Sequence, residues 1–124
     1  MKFKNEVLDF INNAIGTEKY YNYSPFGSKL LLTDGVYTIA NAIDCFWLID
    51  LIASHQGNNK LDRDFQVWIL TVNEKRRSAV VCGYNDCGNG EKPIITQKIS
   101  CTDFPLEELK LYLCNEVLIL PHEY

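Results

Sequence analysis

At 124 residues, with a formal net charge of −4 from 12 basic and 16 acidic side chains, the chain fits one domain. It lacks the basic face that general nucleic-acid binding needs, and it is too weakly acidic to mimic the DNA polyanion. An apolar fraction of 47% with 12% aromatic residues is that of a globular protein, and roughly two-thirds of the unfolded surface is buried at this size, so no disulfide, metal or cofactor is needed for folding.

Residues 3–15 carry Phe3, Val7, Phe10, Ile11, Ala14 and Ile15 at helical spacing, with Gly16 as the stop, which predicts a first helix. Glu6 and Asp9 interrupt the apolar core that a secretion signal would need, so a cytoplasmic protein is expected. The following GTEKYYNYSPFGS places Tyr20, Tyr21, Tyr23 and Phe26 within seven residues of a loop-like stretch. Such rings either plug the edge of a core or form a contact surface.

A brief extended run over 30–32 leads into the densest apolar stretch, 33–56. Val36, Ile39, Ala40 and Ile43 share one helical face, and Thr33 or Asp34 is placed to accept hydrogen bonds from the first turn. From Cys45 onward the segment is apolar nearly all round, which predicts a buried central helix over 45–56. The stretch reads as one bent helix or as two joined near 42–44, with Asp44 as a cap of the second half and Gly57 as a left-handed terminator. Asp50 breaks the apolar run, which is far short of the roughly 20 residues that span a bilayer, so no membrane contact is expected.

FQVWILTV, residues 65–72, is apolar on both faces and reads as a central strand. NEKRR turns the chain, with Lys75, Arg76 and Arg77 as a solvated hairpin turn, and 78–84 returns as a second strand. A Gly-rich turn at NDCGNGEKP precedes a third, alternating strand over 94–101 that should have one wet face. In TDFPLEELKLYLCN, Pro105 suits a first helical position and Leu106, Leu109, Tyr112 and Leu113 form a stripe, so a C-terminal helix is expected. Residues 117–120 form a fourth strand stopped by Pro121, and HEY is left at the surface. The expected fold is α+β, a single domain over 1–124 in which an antiparallel meander of three to four strands packs against helices.

The chemistry is sparse. The five cysteines, Cys45, Cys82, Cys87, Cys101 and Cys114, form no CxxC pair. They read as reduced, packed thiols, against the alternative of a zinc site from Cys82, Cys87, Cys101 and His122, so no metal is expected. There is no P-loop, GxGxxG, GxSxG or HExxH motif. Asp50 and His55 are the one catalytic candidate, as an acid/base couple; the simpler reading puts Asp50 on a narrow solvent stripe and His55 over the last carbonyls of the helix.

In their order and spacing, GTEKYY (16–21), LTDGVYTIA (32–40), CFWLIDLIASHQ (45–56), FQVW (65–68), TDFPLEELKLYL (102–113) and LILPHEY (118–124) resemble a family of small uncharacterised proteins of bacteriophages, plasmids and other mobile elements. This chain departs from that pattern at Cys45 and Phe46, where a small residue and tyrosine are usual, and at Cys87 ahead of the GNG turn. The resemblance carries no catalytic residue. It implies a non-catalytic module that touches a host or phage protein, for example an anti-CRISPR-like inhibitor of a host defence system. Tyr20, Tyr21, Tyr23, Phe26, Trp47 and Trp68 are the anchor candidates, because interface hot spots favour large aromatics. The alternatives are a small enzyme built on Asp50 and His55, and a structural protein that self-associates through an uncovered sheet edge or a thiol.

Overall fold

A computed structural model describes residues 20–23, 30–62, 64–85, 92–100 and 102–123. The expected helix over 3–15, the ring of Phe26, the thiols of Cys87 and Cys101, and the turn over 86–91 lie outside the described residues. Within them the chain runs β1 (Tyr20–Asn22), β2 (Leu31–Thr33), α1 (Asp34–Ala42), α2 (Phe46–Ser54), β3 (Phe65–Asn73), β4 (Ser78–Tyr84), β5 (Ile95–Ile99), β6 (Glu108–Cys114) and β7 (Val117–Ile119), then a short 3-10 turn at Pro121–Glu123.

The strands form one sheet in the order β1-β2-β7-β6-β3-β4-β5. The class is α+β as expected, but a seven-stranded mixed sheet replaces the meander of three to four strands. β2 and β7 run parallel, and the other neighbours are antiparallel. The largest correction is at 102–113, where the expected helix is absent and Glu108–Cys114 is a strand. LEELKLYL satisfies both periods: Leu106, Leu109 and Leu113 suit a helix, while Leu109, Leu111 and Leu113 alternate. Pairing decides, because β6 supplies the second neighbour of β3 in a seven-residue register from Phe65↔Cys114 to Thr71↔Glu108. Tertiary pairing outweighs the helix propensity of Leu, Glu and Lys, which amounts to tenths of a kcal/mol per residue.

The central stretch is two helices. Thr33 caps α1, its Oγ1 accepting from the Val36 N–H at 3.2 Å. At the far end Asp44 adopts φ 53°, and the Cys45 N–H donates to the Ala40 carbonyl at 2.9 Å. That bond and that left-handed residue end a helix in the manner usually left to glycine, and aspartate tolerates the conformation better than most side chains. Asp44 therefore terminates α1 and does not cap α2, whose N-cap is Cys45 without a side-chain bond. Nor does Gly57 take a left-handed conformation; α2 ends at His55 with φ −92°.

Both helices lie on one face of the sheet. Val36, Ile39, Leu48, Ile49 and Ile52 meet Leu32, Trp68, Leu70, Val81, Leu111, Leu113 and Leu118 in a continuous buried cluster. β3 is buried on its helix side, where Trp68 and Leu70 join the cluster, and partly on the other, where Val67 is 1% exposed, Phe65 and Ile69 are half-buried and Thr71 is exposed, so the double burial its sequence implies holds for the middle of the strand only. In the hairpin after β3, Lys75, Arg76 and Arg77 are exposed as expected, and the Arg77 guanidinium also donates to the Phe104 carbonyl at 3.3 Å. The C-terminal segment is less exposed than HEY suggests, since Glu123 Oε1 accepts from Thr33 Oγ1 at 2.7 Å and from the Leu120 N–H at 2.9 Å.

Candidate functional site

Asp50 and His55 are five residues apart on and just beyond α2, about 140° around a helix from one another, and each is bonded elsewhere. The Tyr23 hydroxyl donates to Asp50 Oδ1, tying α2 to the residue that follows β1. Burial, followed by the hydrogen bond to Asp50 and its charge, pushes the Tyr23 phenol up to about 12. His55 Nε2 lies 3.0 Å from Gln97 Oε1 on β5, and its ring stacks at 6.1 Å on Trp68. The structure thus assigns the two side chains to different neighbours and does not bring them together as a couple.

What surrounds Tyr23 is aromatic. Tyr21 stacks on Tyr37 of α1 with ring centroids 4.1 Å apart and planes 13° apart, Tyr37 meets Phe46 of α2 edge-on at 5.7 Å, and Phe46 meets Tyr23 at 5.7 Å. All four rings are half-buried against the core. The ladder arises because alternation along β1 turns Tyr21, opposite Leu32, towards the helices. Alternation turns Tyr20 the other way, and it is 57% exposed. The two faces of this strand therefore present aromatic rings of different kinds, one set packed and one free. Tyr37 and Phe46 were not among the anchors expected from sequence; their contacts with Tyr21 and Tyr23 join residues far apart in the chain and are invisible until β1 is placed beside β2.

The remaining anchors divide. Trp47 is half-buried and edge-on to Phe104 at 6.4 Å. Trp68 is 1% exposed and offers no surface to a partner. Its indole N–H donates to Gln66 Oε1 at 2.9 Å, part of a polar knot that sequence reasoning missed. Gln66 is wholly buried, and every hydrogen-bonding site of its amide is filled: Oε1 also accepts from Gln56 Nε2 at 3.0 Å, while Nε2 donates to Gln56 Oε1 at 2.9 Å and to the Asp62 carbonyl at 2.8 Å. Gln56 in turn donates to the Ile52 carbonyl at 3.0 Å. A glutamine at an inward position of an apolar strand is the signal that marks such a knot.

Other features supply little chemistry. Cys45 is buried, and burial with the nearby Asp44 charge pushes its thiol up to about 12, which makes it a poor nucleophile. It borders a void of about 10 Å³ between the helices and β6, too small and too apolar for a substrate. An open groove of about 490 Å³ beside the end of β3 is lined by Glu74, Lys75, Glu107 and Glu108, with neither histidine nor cysteine among them. Among the described residues no group of three or more His, Cys, Asp or Glu is placed to hold a metal ion. Cys82 and His122, two members of the zinc alternative, belong to β4 and to the turn after β7, with β3 and β6 between those strands. That separation is about 14 Å at the spacing of neighbouring strands, too far for one ion. No helix among the described residues is long and apolar enough to cross a membrane.

No curated protein and no solved structure matches the chain. A family model does, over residues 5–124 and so over all but the first four residues, and the chain belongs to that family of unknown function (DUF6876).

Proposed function

We propose that this chain is a non-catalytic protein-recognition domain whose contact surface is the aromatic margin formed by β1 and the helix residues packed on it. The observation that carries the reading is Tyr20, 57% exposed on a strand whose neighbouring residue is locked into a ladder of rings. An exposed tyrosine on a pre-ordered support offers a large contact area at low entropic cost, which is what interface anchors require. Trp47, half-buried against Phe104 on the helix side, lies outside this surface, while Tyr21 and Tyr23 hold β1 in shape. The net charge of −4 favours a protein partner over nucleic acid. The resemblance to mobile-element proteins nominates the partner as a host or phage protein, with inhibition of a defence system as the outcome, in the cytoplasm where such targets reside.

The test is capture from a host lysate with the tagged chain, followed by titration of the recovered partner against Tyr20→Ala. A side chain at the centre of an interface contributes about 2 kcal/mol or more, so the variant should bind roughly 30-fold more weakly while its circular dichroism is unchanged. Equal binding by the variant removes Tyr20 from the interface and with it the basis of this reading.

A further inference from the structure

β5 (Ile95–Ile99, ITQKI) ends the sheet on the side away from β1; among the described residues it has β4 on one flank and no strand on the other. Ile95 is buried in the helix-side cluster and Ile99 packs against it, so Ile95, Gln97 and Ile99 share the helix-bearing face. Thr96 and Lys98 project from the opposite face and are exposed. The strand is therefore close to symmetric about Gln97, with an isoleucine at each end of one face and a polar residue on either side of the centre on the other.

We propose that β5 is a self-recognition edge: a second copy of this chain adds its own β5 antiparallel across a two-fold axis at Gln97, making one continuous sheet from two. In that register Ile95 faces the partner's Ile99, Gln97 faces its counterpart, and Thr96 faces the partner's Lys98. Neighbouring registers are worse on simple grounds. A slip of two residues one way sets Lys98 against the partner's Lys98, and like charges directly opposite destabilise a pair. The slip the other way sets Lys98 against the partner's Ile94 and Ile99 against the partner's Pro93, which has no N–H to give. A slip of one residue puts inward apolar positions opposite outward polar ones.

One intrachain contact orders the residue at the proposed axis. His55 holds the Gln97 side chain at the axis through the 3.0 Å contact. A lone lysine is a common device for keeping an edge solvated, and in this register it meets an uncharged threonine, so Thr96 reports the pairing. Two five-residue strands make an interface at the small end of specific ones, below about 1,200 Å², so the dimer forms in a concentration-dependent way. The edge lies at the far end of the sheet from β1 and is independent of the recognition surface proposed above.

Analytical ultracentrifugation of the full chain in reductant, from micromolar to millimolar concentration, tests this with Thr96→Glu and Thr96→Lys. The glutamate variant gains two opposite-charge pairs and should dimerise about fivefold more tightly than the unaltered chain, while the lysine variant gains two like-charge pairs and should be weaker by a similar factor. Thr96 is exposed, so both variants keep the fold, which circular dichroism verifies. A chain that stays monomeric throughout, or a dimer that the two variants fail to shift in opposite directions, overturns the proposal.

Discussion

Among the described residues the fold holds the protons of Tyr23 and Cys45 well above their ordinary range, and burial also raises Tyr84 and Cys114. The phenol moves from its ordinary 10.0 to about 12 through burial and then Asp50, and the thiol from 9.0 to about 12 through burial and then the Asp44 charge. Each folded-state value is raised above the unfolded one, so the stability these groups contribute is complete below pH 9 and is lost as pH rises towards 12. Urea midpoints measured from pH 8 upward should fall across that window, and Tyr23→Phe should flatten the part above pH 10. A midpoint that stays constant through pH 11 would show that neither proton is held by the fold. Gly83 makes a second residue-scale point. A Cβ there would come within 2.8 Å of the Trp68 indole, which is itself 1% exposed and pinned by Gln66. Gly83→Ala should lose about 2 kcal/mol of unfolding free energy, the usual cost of overpacking, read by chemical denaturation.

At the scale of elements, the Gln56–Gln66 pair fastens the end of α2 to the start of β3. Truncating Gln66 to Ala removes the partners that Gln66 gives to the Trp68 N–H, to the Gln56 amide oxygen and to the Asp62 carbonyl, while Gln56 keeps its bond to the Ile52 carbonyl, at a cost of about 3 kcal/mol, and Gln56→Ala should cost about 1–2 kcal/mol. Because the residues act as one network, the double variant should lose at least about 1 kcal/mol less than the sum, as a denaturation cycle would measure. Additive losses would mean two unrelated contacts. The same scale shows what could be read in advance. β3 declares itself by apolar residues on both faces and β5 by alternation, β4 follows as the return of the hairpin, and Thr33 or Asp34 marks the start of α1. β6 does not, because leucines at 106, 109, 111 and 113 fit either period and only the empty flank of β3 chooses between them. β1 is three residues long inside an aromatic stretch, too short for any period to emerge. Asp44 was legible as a break in the helix, but its role in ending α1 depends on a backbone angle that no side-chain pattern encodes.

For the whole molecule, the sheet order is the feature that sequence order hides. β7 inserts between β2 and β6, so the last strand stands beside one of the first, and Glu123 reaches Thr33 at the head of α1. This closure makes the helix layer a fixed support, and β1 inherits its position from it through β2. Of the candidate surface, the cluster of tyrosines was visible as composition, while its division into a packed ladder and one free ring was not, because exposure depends on which face of β1 meets α1. Asp50 and His55 illustrate the converse: adjacency in sequence suggested a couple, and the fold gave each a partner from a different strand region. What remains at the surface is a rigid scaffold with an aromatic margin at one end and a symmetric edge at the other.

The two ends make the decisive measurement a comparison. A partner captured by the unaltered chain should be lost with Tyr20→Ala and retained with Thr96→Lys, both variants being folded by circular dichroism. Retention of the partner by Tyr20→Ala would contradict recognition through the β1 margin.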